Sequence, residues 1–155
     1  MTSVRTLVAG ACALALYASP LHAEVIDYRA FQWYSAYDHD IRGSARVFQN
    51  RDGTWSAGID VTGINPGAYH FRIVVPTSFD RVPPGTTLKP AGWTPINVCD
   101  FVSNGRRTRC DRDGLAMDQL AQYLEYGVVE IWTSPANSRF GPSRKWATAP
   151  LFLDE

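Results

Sequence analysis

Residues 55–62, WSAGIDVT, set apolar Trp55, Ala57, Ile59 and Val61 against Ser56, Gly58, Asp60 and Thr62. An alternation of period two marks a strand with one buried face. Upstream, Ala45–Phe48 reads as its partner, with an Asp-Gly turn in Asn50-Arg51-Asp52-Gly53 between them. Downstream, Asn65-Pro66-Gly67 is a second turn, after which Phe71, Ile73 and Val75 alternate with His70, Arg72 and Val74. Residues 45–75 therefore read as a three-stranded meander.

Residues 76–95 hold five prolines. That density excludes a helix or a central strand and predicts a long ordered loop or a crossover between sheets. Phe79, Val82, Leu88 and Trp93 give it apolar anchors. Asn104-Gly105 then signals a two-residue hairpin turn. Centred there, the register sets Cys99 opposite Cys110, Asp100 opposite Arg109 and Phe101 opposite Thr108, with paired Cα atoms about 5.5 Å apart. That separation suits a disulfide. Leu115, Leu120, Tyr123 and Leu124 make an apolar stripe at helical spacing, so residues 115–126 read as an α-helix with Asp113 as N-cap and Gly127 as stop. Val128–Thr133 and Trp146–Leu153 read as late strands, the second demoted to an edge by Pro150, and Tyr28–Tyr37 as the first. The sum is about seven to nine short strands with one helix, an antiparallel β-sandwich rather than alternating βαβ units.

The 155-residue chain opens with the grammar of a secretory leader. Arg5 precedes an apolar run from Leu7 to Tyr17, Pro20 breaks it, and Ala23 supplies a small residue at the cleavage point. The expectation is a cleaved signal peptide over 1–23 and one domain over 24–155, periplasmic or secreted. Two competing readings are lipid attachment at Cys12 and cleavage before His22. No stretch reaches the roughly 18 apolar residues of a membrane span. Beyond the leader, Cys99 and Cys110 are an even pair in an oxidising compartment. The mature part carries 15 acidic and 14 basic side chains, and that balance provides no field for nucleic acid.

No catalytic motif appears. There is no Gly-x-Ser-x-Gly elbow, zinc-binding HExxH or glycine-rich phosphate loop, and no cofactor is expected. Asp38-His39-Asp40 resembles a metal cluster in composition only, because consecutive residues of an extended chain point to opposite faces. A histidine brace needs His22 at the N-terminus together with His39 or His70, and Leu21 disfavours that cleavage. Two surfaces remain. Arg106, Arg107, Arg109 and Arg112 cluster at the hairpin tip, a projection suited to acidic partners, against the plainer reading of a solvated turn. Trp33, Tyr34 and Tyr37 crowd the first strand. Trp132, on the face opposite Val129 and Ile131, and with it Trp146, predicts a flat platform for sugar or protein, against core packing.

Two resemblances add to this. Arg72–Thr133 resembles the invasion-associated locus B family of exported proteobacterial proteins. The shared order is a strand ending in Pro76, then Val82-Pro83-Pro84-Gly85 with Leu88, the Cys99 and Cys110 pair, a Leu-rich helix ending at Gly127, and a strand. The cysteine spacing is wider here, and no cysteine lies nearer the start of the mature part. Arg42-Gly43-Ser44-Ala45, Thr62–His70 and Leu120–Pro135 are similar to chordin-type and Cu,Zn-superoxide-dismutase-like sandwiches. Where that family places copper-binding histidines, this sequence has Tyr69, Arg72 and Val74, so the resemblance implies the fold without the metal. Both imply an extracytoplasmic β-sandwich. The expected function is a non-catalytic binding or envelope-associated module for a protein or glycan of the cell envelope or host surface. The alternatives are an inhibitor or immunity protein against an envelope-directed enzyme such as a lysozyme, and, third, a histidine-brace oxidase or hydrolase.

Overall fold

The computed structural model describes residues 26–36, 40–82, 87–134 and 143–154. The predicted leader, with Cys12 and His22, lies outside them, as do Tyr37, Asp38 and His39. The strands are β1 (Asp27–Ala30), β2 (Tyr34–Ser35), β3 (Arg42–Gln49), β4 (Trp55–Thr62), β5 (Gly67–Val82), β6 (Thr87–Ser103), β7 (Thr108–Leu115), β8 (Val128–Thr133), β9 (Lys145–Pro150) and β10 (Phe152–Leu153), with a 3-10 helix at Asp118–Tyr126. They form two antiparallel five-stranded sheets, ordered β10-β1-β3-β4-β7 and β2-β9-β8-β5-β6. No helix among the described residues is long and apolar enough to cross a membrane.

The alternation read from residues 55–62 is what closes the core. Ala57, Ile59 and Val61 of β4 join Val47 of β3, all buried, on the inner face of the first sheet. Phe71, Ile73 and Val75 of β5 and Val129 and Ile131 of β8, each with no exposed surface, answer them from the second. These side chains belong to one continuous apolar cluster, the filling of a sandwich. The β3–β4 hairpin keeps the predicted turn. Gly53 adopts φ 85° there, and Asn50 N–H donates to the Thr54 carbonyl at 2.7 Å.

The meander, however, does not continue. β4 pairs with β3 and β7, while β5 pairs with β6 and β8. Asn65-Pro66-Gly67 therefore carries the chain from one sheet to the other. Ile64, almost fully buried, anchors the passage, and its carbonyl accepts a 2.9 Å hydrogen bond from Ser103 Oγ.

The proline-rich segment is also strand rather than loop. Its described residues lie in a long β5–β6 hairpin reaching Val82 and Thr87. Prolines are tolerated because β8 pairs with β5 only as far as Val74 and β6 is an edge strand. Beyond Val74 the hairpin is a two-stranded ribbon, with Phe79 packed between Tyr123 and Tyr126 at 5.2 and 5.1 Å.

The helix begins at Asp118 rather than Leu115 and is 3-10 rather than α. Two contacts hold the preceding residues in β7. Leu115 pairs with Trp55, and Asp113, instead of capping, accepts a 2.8 Å hydrogen bond from Ser56 Oγ. Tyr28–Tyr37 likewise is not one strand. β1 lies in the first sheet and β2 in the second, with Phe31–Trp33 between them.

Cys99 and Cys110 are bonded, with Cα atoms 6.3 Å apart. The predicted hairpin around Asn104-Gly105 does not carry the bridge, since β6 and β7 belong to different sheets. Cys99 sits opposite Phe71 and Cys110 opposite Ile59, so both point inward and the bond ties sheet to sheet. Asn104-Gly105 is instead an arch between the sheets. Asn104 Oδ1 accepts from Arg106 N–H at 3.0 Å, and Gly105 takes φ 83°.

Candidate functional site

Period-two alternation also fixes what faces outward. On β5, His70, Arg72 and Val74 point away from the core, and on β8 Val128, Glu130 and Trp132 do so beside them. The ladder sets His70 opposite Trp132 and Arg72 opposite Glu130. A register shift in the β8–β9 ladder between Ile131 and Trp132 brings Lys145 opposite Trp132. Trp146 is turned inward and buried, edge-on to Tyr69 at 5.4 Å. The predicted pairing of Trp132 and Trp146 on one platform is thereby corrected.

Glu130 organises this face. Its carboxylate is only 7% exposed. Oε2 accepts from Trp132 Nε1 at 2.7 Å and from Arg72 Nε and Nη2 at 2.8 Å, and Oε1 accepts from Lys145 Nζ at 2.9 Å. Burial pushes the Glu130 carboxyl up, but the hydrogen bonds from Lys145, Trp132 and Arg72 outweigh it and leave it below its ordinary value. The indole is fixed at its nitrogen by Glu130. The Arg72 guanidinium lies 4.2 Å from the ring centre and His70 stacks nearly parallel at 6.4 Å. Burial first, and then Arg72, hold the His70 imidazole below its usual value.

Arg72, Glu130, Trp132 and Lys145 form one side of a groove of about 480 Å³. Val74 and Val128 floor it, and Trp93 and Pro95 of β6 form the other side. Trp93 is half exposed. Two cations share one carboxylate, so the groove keeps an excess positive charge. Lys145 and Thr148 also border a smaller depression of about 260 Å³ that ends at Tyr34 of β2. Tyr34 is opposite Thr148 in the β2–β9 ladder and hence on the same face.

The structure brings only one of the sequence-predicted binding residues to this groove, Trp132. Trp33 packs against the core from between β1 and β2, its Nε1 donating to the Gly43 carbonyl at 3.1 Å. Arg107 and Arg109 lie on the outer face of the first sheet. There both engage Asp60, by Nε at 2.7 and 2.9 Å, and hold its carboxyl down at about 2. Asp100, expected beside Arg109, is on the second sheet opposite His70. Arg106, at the arch, is exposed. Arg72, Glu130, Lys145 and Trp93 were not predicted as site residues, and Tyr34 was named only among the aromatics crowding the first strand. A signal for one of them is in the sequence: Glu130 interrupts the apolar run Val128–Trp132 two positions before Trp132, which puts it on the same face as that indole. Among the described residues no group of three or more His, Cys, Asp or Glu could hold a metal ion, and Asp38 and His39 lie outside them.

Compared against models of known protein families, against curated proteins and against solved structures, the chain matches none.

Proposed function

We propose that this protein is an exported, non-catalytic glycan-binding module whose ligand lies on the outer face of the β2-β9-β8-β5-β6 sheet. The observation that carries this reading is the groove between Trp132 and Trp93, with Trp132 held by Glu130 Oε2 at 2.7 Å. Sugar rings present flat C–H faces and hydroxyl edges. Indole surface answers the first, and charged groups already oriented by one another answer the second. A side chain held before binding loses little entropy on contact. Export is supported by the leader grammar of residues 1–23 and by the Cys99–Cys110 bond. The likeness of Arg72–Thr133 to invasion-associated locus B proteins stays part of the proposal. Titration of the purified protein with cell-envelope polysaccharide tests it through Trp fluorescence. The expected result is a saturable change lost in Trp132→Ala and kept in Arg106→Glu. Equal responses in both variants would overturn it.

A second reading, an inhibitor of an envelope-directed enzyme, draws on the exposed Arg106 at the arch. It expects a tight protein complex lost on Arg106→Glu and indifferent to Trp132→Ala.

A further inference from the structure

Resting on the glycan-binding reading, we infer that the ligand is an acidic glycan, one bearing uronate-type carboxylates, lying across the strands from Trp93 to Tyr34. The charge argument comes first. Glu130 is the carboxylate of the groove, and its oxygens are already engaged by Trp132, Arg72 and Lys145. It is therefore poorly placed to accept from the hydroxyls of a neutral sugar. Arg72 spends Nε and Nη2 on Glu130, and Lys145, 47% exposed, spends one of its three protons there. What remains toward solvent is donor capacity and positive charge, complementary to a carboxylate. An anion entering here meets two cations prepaid in orientation by Glu130.

The length argument is independent. The depression at Tyr34 and the groove at Trp93 adjoin at Lys145 and Thr148, which border both, and together they mark a path for a chain-like ligand. It crosses the sheet through β6, β5, β8, β9 and β2 in that order. Adjacent strands are about 4.8 Å apart, so four spacings give roughly 19 Å, the reach of an oligosaccharide rather than of one ring. Exposed aromatic residues stand at both ends, Trp93 at 47% and Tyr34 at 65%, with the cations between them.

The test is calorimetric titration of the purified protein with a galacturonate tetrasaccharide, a mannuronate tetrasaccharide, cellotetraose, galacturonic acid and hexaglutamate. At least one uronate tetrasaccharide should bind ten-fold or more tighter than cellotetraose and than the single sugar. Lys145→Gln should weaken it about ten-fold. Tyr34→Ala should weaken the tetrasaccharide but not galacturonic acid. Both substitutions fall on exposed side chains, and retained thermal unfolding shows that the fold is kept. Cellotetraose binding as tightly as the uronates would overturn the acidic class while leaving glycan binding standing. Hexaglutamate binding alone would make the groove a site for acidic peptides and overturn both readings, as would no binding by any of the five.

Discussion

Glu130 is the residue on which the outer face of the second sheet depends. It is buried, yet it accepts hydrogen bonds from Trp132, Arg72 and Lys145. Removing the shared acceptor leaves the half-buried Arg72 without its counter-charge and weakens three hydrogen bonds, so Glu130→Gln should cost about 2 kcal/mol in urea denaturation. The pH dependence has a definite sign. Folding lowers the Glu130 carboxyl below its ordinary 4.5, so its contribution is full above 4.5 and disappears as pH falls through the folded value. Glu130→Gln should flatten the acid limb of the stability curve. His70 behaves in a related way. Burial and Arg72 lower it, so the unfolded chain binds the extra proton first, and stability falls as pH drops below 6.5 toward the folded value. The expected outcome is that His70→Gln removes this loss in urea midpoints measured at about pH 7.5 and about pH 5.5.

Among the elements, the β5–β6 hairpin shows most clearly what a sequence reveals and what it hides. The inner half of β5, Phe71 to Val75, is legible because Phe71, Ile73 and Val75, fully buried in the core, alternate with the outward Arg72 and Val74. The half beyond Pro76 is not, because a proline reads as a break unless it is known that the strand has lost a neighbour on that side. In the ribbon, packing of Phe79 on Tyr123 and Tyr126 replaces the missing ladder. Phe79→Ala should therefore raise amide exchange roughly tenfold in residues 76–81 and 88–94, with Phe71–Val74 unchanged. Uniform acceleration through all of β5 would show that the ribbon is not a separate unit. The same difference separates the two halves of the candidate site. Trp132 could be placed outward from period two alone. Lys145 could not, because the shift in the β8–β9 ladder that sets it against Trp132 has no mark in the sequence. Trp93, too, lies in the segment read as loop.

At the level of the whole molecule, pairing Cys99 with Cys110 was right although the hairpin argued for it was not. Short separation and opposed faces suffice for a bridge whether the strands share a sheet or face each other across the core. The structure makes the bond a tie between the edge strands β6 and β7 of opposite sheets. Replacing both cysteines with serine should cost about 2–4 kcal/mol in chemical denaturation, with strand content by circular dichroism preserved. Loss of folded structure instead would mean that the apolar cluster shared by the sheets cannot hold them alone.

The sandwich thus has two unlike outer faces, one carrying Asp60 with Arg107 and Arg109, the other the groove between Trp93 and Trp132. Chemical-shift mapping of the purified protein with a uronate tetrasaccharide discriminates between them most directly. The expected spectrum shifts the indole N–H signals of Trp93 and Trp132 together with the backbone of Lys145, and leaves the buried Trp55 and Trp146 and the Arg106–Arg109 segment in place. Shifts confined to Arg106–Arg109 with the Trp132 signal unmoved would contradict it.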